Sequence, residues 1–248
     1  MTLTWQPPDG PARGSVVLLH GVTAQAATWW RIGPALGSLG WQTTAIDLPG
    51  HGLAGPLGKQ PRFEELVEDV GRQLPARVDL LVGHSLGAIV ALLLAEHAAA
   101  VVLEDPPDGL GDDRDIRLGH EVGAARSDPD WARAQLRQHN PDWAEQDVTH
   151  AVDGLLRVDL PGLVAVLARD IGWDLPALVA QAGRPTLVLA PPPESGGALA
   201  TDRAAVRELV GPDRFVEVDG GHCMHRSRPQ WWLDRVDAFA EAVLSGRA

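Results

Sequence analysis

A serine between two glycines, in the run Gly83-His84-Ser85-Leu86-Gly87, is the strongest chemical signal in the sequence. The run follows an apolar stretch at residues 78–82 and precedes a helical stretch at residues 88–97. A G-x-S-x-G run between a strand and a helix makes a sharp turn that presents the serine hydroxyl at the strand's carboxyl end. The glycines are needed because the turn is tight. A helix starting at Leu86 aims its first amide N–H groups and its positive end at the same spot. An alkoxide or a tetrahedral oxyanion is stabilised there. The chemistry this suggests is attack of an activated hydroxyl on a carbonyl. Such attack needs a base for the hydroxyl proton and an anion to hold that base.

The elements that must position this hydroxyl are readable as alternating runs. Residues 15–20, 41–46, 78–82 and 100–103 read as short strands, most of them largely apolar, and residues 63–74 show helical spacing with Leu66, Val67 and Val70 on one face. Continuous apolar strands separated by helices predict an α/β fold with a mostly parallel sheet covered on both faces. The strand pattern resumes at residues 185–189 and 214–218, and a closing helix is expected over residues 231–244. Between these halves, residues 106–183 show no convincing strand. Asp128-Pro129 and Asn140-Pro141 each read as an N-cap followed by a helix-opening proline. Another helix is expected from Leu160 to Ala168, while Asp112, Asp113 and Asp115 read as a solvated stretch. The expected organisation is a core of residues 1–105 and 184–248 interrupted by a helical cap at 106–183.

Further motifs occur in order. His20-Gly21 ends an early strand, Asp47-Leu48-Pro49-Gly50-His51-Gly52 forms a turn-rich loop, and Gly220-Gly221-His222 precedes Pro229. Together with the Ser85 run, these resemble the α/β-hydrolase fold superfamily over essentially the whole chain: a serine hydrolase, esterase-like, with a helical lid. The resemblance implies that Ser85 is the nucleophile and His222 the general base. It implies that the Val22 and Leu86 amides form the oxyanion hole. The triad acid is implied at Glu194, after the next-to-last strand. In the rarer family arrangement the acid follows the strand after the nucleophile helix, where Asp105 and Glu104 stand. The motif position favours Glu194, although Pro191 replaces the usual glycine of that loop.

The resemblance further implies hydrolysis of a carboxylic ester or lactone through an acyl-enzyme, with no cofactor. A carbon–carbon bond hydrolase or a cofactor-free perhydrolase would use a similar triad. A non-catalytic small-ligand-binding protein on the same scaffold is the alternative from another class. Trp131, Trp143 and Trp173 lie in the insertion, which suggests a pocket closed by indole rings over an apolar or aromatic acyl group. Trp29 and Trp30 either line that pocket or, for one of them, pack in the core. His222 and His225 are spaced as a metal pair, but no cysteine or carboxylate cluster with ligand spacing accompanies them, so no metal is expected. His225 reads as a solvated residue near the last helix.

Composition narrows the partners. The 248 residues carry a net charge of -12, with hydrophobic residues at 45% and charged residues at 22%. That balance is ordinary for a globular chain. The negative field disfavours nucleic acid and stable association with anionic membranes. Cys223 is the lone cysteine, so no internal disulfide and no oxidising compartment are required. Without a visible signal peptide or spanning segment, a cytoplasmic monomer or homodimer acting on a small apolar ester or lactone is the expectation.

Overall fold

The computed structural model describes residues 1–109, 114–167 and 173–245. Asp112, Asp113, the side chain of Asp115, and Ala168 therefore lie outside the described residues. Seven strands form one sheet: β1 (Thr2–Trp5), β2 (Gly14–Leu19), β3 (Trp41–Ile46), β4 (Val78–His84), β5 (Ala98–Glu104), β6 (Thr186–Ala190) and β7 (Phe215–Glu217). Their spatial order is β1-β3-β2-β4-β5-β6-β7. All neighbouring pairs are parallel except β1 with β3. The helices, in chain order, are α1 (Ile32–Ser38), α2 (Phe63–Gln73), α3 (Leu86–Leu93), α4 (Arg114–Ser127), α5 (Pro129–His139), α6 (Glu145–Arg157), α7 (Leu160–Leu167), α8 (Leu175–Ala182), α9 (Arg203–Val210), α10 (Met224–Ser227) and α11 (Pro229–Leu244).

The period-2 alternation of the strands builds two cores. Val17, Leu19, Leu81, Val101 and Leu103 point to one side of the sheet and pack with α2, α3 and helices of the insertion. Val16, Leu18, Leu80, Val82, Ala100 and Val102 point to the other, where Trp29, Trp232 and Val236 meet them. The central strands are apolar on both faces because both faces are covered. Burial of this kind is worth about 25 cal/mol per Å2 of apolar surface and is what fixes β4 and β5 under the site.

Two expectations change in detail. β1 was not visible as a strand, because its alternating Thr-Leu-Thr-Trp is a short edge segment whose residues are exposed or half-buried. The helices between β5 and β6 run from α4 to α8, and α8 packs against α3 and α9 on the sheet layer. Its apolar side, including Leu175 and Val179, joins the core rather than lying over the site. Among the described residues no helix is long and apolar enough to cross a membrane.

Candidate active site

Ser85 sits between β4 and α3 with φ 53 and ψ -120, a strained backbone for a residue with a side chain. The flanking glycines are steric necessities. A Cβ on Gly83 would lie 2.1 Å from the Gly87 carbonyl oxygen, and a Cβ on Gly87 would lie 2.5 Å from the His20 and Leu19 oxygens. The turn is anchored to the next strand, because Ser85 N–H donates to the Glu104 carbonyl at 2.9 Å. Leu86 opens α3, where amide groups have no acceptor within the helix. Val22 belongs to the loop after β2, and Ser85, Leu86, Val22 and His222 all line one cavity of about 580 Å3.

The loop holding Val22 is braced by neutral histidine. His20 Nε2 accepts from Leu48 N–H at 3.0 Å, so its proton resides on Nδ1, which donates to the Gly21 oxygen at 2.8 Å. Burial, reinforced by His51, lowers the His20 pKa well below the usual imidazole value. Asp47 completes the loop contact by accepting from Ala26 N–H at 2.7 Å and Leu53 N–H at 2.9 Å.

The carboxylate that meets His222 is Asp105. Its Oδ2 lies 2.5 Å from His222 Nδ1. With Nδ1 engaged there, Nε2 is the ring nitrogen left for the cavity. Asp105 directly follows β5 and has φ 43, a left-handed backbone that turns its side chain across the sheet end. It is fully buried, and it also accepts from Ala198 N–H at 2.7 Å and Leu199 N–H at 3.1 Å. Glu194, which motif position favoured, is exposed on the short turn Pro193–Ser195 and has no described bond to His222. The physical reason lies in that loop. Instead of bringing its own carboxylate to the histidine, it brings backbone amides to Asp105, and Gly197 approaches so closely that a Cβ would lie 3.0 Å from Asp105 Oδ1. The glycines at 196 and 197 were the available signal.

Glu104 faces the opposite way. It accepts from His225 N–H at 2.9 Å, His225 Nδ1–H at 2.9 Å and Trp232 Nε1–H at 3.0 Å. His225 is therefore buried and hydrogen-bonded, not solvated as its sequence position suggested. His84, Glu104 and His225 offer ligand atoms within 4.8 Å of one another. Those atoms are occupied by hydrogen bonds: His84 Nε2–H donates to the His222 oxygen at 3.0 Å, and the other two residues bond to each other. The cluster is a hydrogen-bonded net and not a metal cradle. Burial pushes the Cys223 thiol up to about 12, so this half-buried cysteine offers no thiolate to compete with Ser85.

Among the described residues that line the cavity there is none of the five tryptophans expected near the substrate. Trp173 packs against Phe63 and donates its Nε1–H to the Pro107 oxygen at 2.7 Å. Trp29 is fully buried on the far side of the sheet against Trp232 and His225. Trp30 donates its Nε1–H to Asp147 of α6 at 2.8 Å, a clasp between core and insertion. Trp131 is 49% exposed on α5. Trp143 lies under the Arg226 guanidinium, 4.4 Å from the ring centre. The walls are instead aliphatic, with Val22, Leu86, Pro107, Leu118 and Leu167, and the polar groups Asp108, Arg117 and Glu121 stand among them. Burial raises the Glu121 pKa against the opposing pull of Arg117. Burial also works to raise that of Asp108, but amide donors from Ala200, Asp202 and Thr201 outweigh it and lower the value.

The buried histidines predict how stability depends on pH. Burial lowers the pKa of His20, His51, His84 and His225 below the usual value of about 6.5. Below that value the unfolded chain takes up protons that the folded chain refuses, so stability is full above it and is lost as pH falls. Glu104, Glu121 and Asp202, whose pKa values burial raises, pull the other way, while His150, also lowered by burial, adds to the histidine side. The melting temperature is expected to drop between about pH 7.5 and about pH 5 in thermal unfolding followed by circular dichroism. A flat or rising profile would contradict the neutral assignment.

With this geometry established, the chain belongs to the alpha/beta hydrolase family, whose profile matches residues 16–235. It is similar to a pimeloyl-[acyl-carrier protein] methyl ester esterase of Neisseria meningitidis serogroup A, with 32% identity over 94% of this chain and 79% of that protein. The corresponding esterase of serogroup C is 33% identical over 60% of this chain, and the match spans 59% of that relative's length. Among solved structures, MenH from S. aureus aligns with a TM-score of 0.72 at 18% identity over 98% of both chains, a likeness of fold.

Proposed function

We propose that the chain is a serine hydrolase that cleaves a small carboxylic ester or lactone through an acyl-enzyme, with Ser85 as nucleophile, His222 as base and Asp105 as the triad acid. The observation that carries this reading is the short His222–Asp105 contact at 2.5 Å beside a cavity that Ser85 also lines. The named activity of the Neisseria relatives, hydrolysis of a methyl ester, supports the same reaction class. The aliphatic walls favour a compact apolar acyl group over one held between indole rings.

The reaction follows from these positions. The Ser85 hydroxyl proton passes to His222 Nε2 as Oγ bonds to the ester carbonyl carbon. The carbonyl oxygen becomes an oxyanion, which the Val22 and Leu86 amides stabilise by roughly 3 kcal/mol each. Asp105 stabilises the imidazolium formed. The carbon–oxygen bond to the alcohol then breaks, and His222 returns the proton to that oxygen. Water enters, gives a proton to His222 and attacks the acyl carbon. The Ser85 Oγ–carbon bond breaks, the serine regains its proton, and a carboxylic acid leaves.

A panel of nitrophenyl esters and simple lactones, assayed with purified protein, tests the reading. Turnover of short aliphatic esters well above the uncatalysed rate is the expected result. Tight reversible binding of such compounds without turnover would assign a binding role, and turnover of diketones alone would assign carbon–carbon cleavage.

A further inference from the structure

Two consecutive carboxylates at the end of β5 hold two histidines that lie three residues apart. Asp105 bonds to His222, and Glu104 bonds to both the ring and the backbone N–H of His225. We propose that Glu104 is a positioning residue for His222: by gripping His225 and Trp232 it fixes the segment 222–226 against the strand that also supplies Asp105. The inference rests on the triad assigned above and goes beyond it, because Glu104 touches neither His222 nor the cavity.

The chemistry of the grip accepts only a carboxylate. All three groups that reach Glu104 are donors, namely His225 N–H, His225 Nδ1–H and Trp232 Nε1–H. The tautomer of His225 is fixed from its other side, since Arg226 Nε–H donates to His225 Nε2 at 3.3 Å. A glutamine at 104 would turn its own N–H2 toward one of these donors. If His225 moved its proton to Nε2 to relieve that clash, it would face the Arg226 donor instead. No tautomer satisfies the set, and an unsatisfied buried donor is costly. Every member is buried, so water cannot repair the loss. The same segment is tied to β4 from above, where His84 donates to the His222 carbonyl and its ring lies 4.6 Å from the His222 ring. Releasing Glu104 leaves that contact, Asp105 and the packing of Met224, His225 and Arg226 to hold His222.

Steady-state kinetics and proton NMR on the full chain test this. In folded Glu104→Gln, kcat is expected to fall roughly 100-fold with KM little changed, as for a displacement of a catalytic group by about 1 Å. The low-field proton resonance of the His222 Nδ1–H···Asp105 hydrogen bond is expected to shift or vanish. His225→Leu should reproduce both effects. His225→Gln, whose amide can donate to Glu104 and accept from Arg226, should recover most of what His225→Leu loses. A folded Glu104→Gln that keeps both kcat and the resonance overturns the proposal. Should that variant not fold, a His225→Leu protein with wild-type kcat and resonance overturns it. The resonance does not depend on turnover, so an inactive wild-type protein would sink the hydrolase reading while still deciding this one.

Discussion

Replacing Asp105 with Asn is expected to lower kcat by about 10^4-fold, the size of effect seen when a triad acid becomes an amide. The cause lies in the bonding of this carboxylate. It accepts from His222 Nδ1 and from the amides of Ala198 and Leu199. An asparagine would turn its N–H2 toward one of these donors. His222 would then be held in the wrong tautomer, or the loop at 198–199 would be pushed away. The backbone does not confound the comparison, because the left-handed conformation of Asp105 is one that asparagine tolerates. In the same assay Glu194→Gln is expected to stay within about twofold of wild type, as for an ordinary exposed substitution. Steady-state hydrolysis of a short nitrophenyl ester by both variants, each checked for folding by circular dichroism, measures the contrast. The reverse ranking would move the acid role to the loop after β6.

Ser85→Ala carries the larger expected loss, about 10^6-fold in kcat, since a triad without its nucleophile retains only the contribution of the oxyanion donors and binding. Stability should move the other way or not at all. The serine occupies φ 53 and ψ -120 for the sake of its hydroxyl, and removing that hydroxyl takes away no described hydrogen bond of the side chain. Residues held in such backbone conformations cost free energy that the surrounding fold must offset. An unchanged or raised melting temperature with lost turnover would separate a functional role from a structural one. A large drop in melting temperature would instead make Ser85 a structural turn residue.

How much of this was legible in the sequence differs from element to element. The strands under the site were readable because β2, β4 and β5 are apolar on both faces, a pattern that only a covered parallel sheet produces. The turn at Ser85 was readable because glycine is forced beside the serine: Gly83 and Gly87 have no room for a Cβ. The acid was not readable from position. Whether the carboxylate after β5 or the one after β6 reaches His222 depends on how two loops cross, and the deciding contacts join residues about ninety positions apart. Which member of the tryptophan pair packs in the core was open for a related reason. Trp29 and Trp30 are neighbours in a tight turn, so one points into the core beneath the sheet while the other points to α6. Composition cannot assign those directions. Trp131 was misread because indole in an insertion suggests burial, whereas here it lies on the outer face of α5. The Glu104–His225 net escaped notice because its members are strangers in sequence, linked only by the strand end and the segment after His222.

The central claim is that Ser85 forms a covalent bond to its substrate's acyl carbon with the help of His222. Intact-mass spectrometry after incubation with a fluorophosphonate, followed by peptide mapping, tests it most directly. One adduct per chain on Ser85, absent from Ser85→Ala and slowed in Asp105→Asn, is the predicted result. No adduct in the wild-type protein, or an adduct on any other residue that persists in Ser85→Ala, would contradict the account.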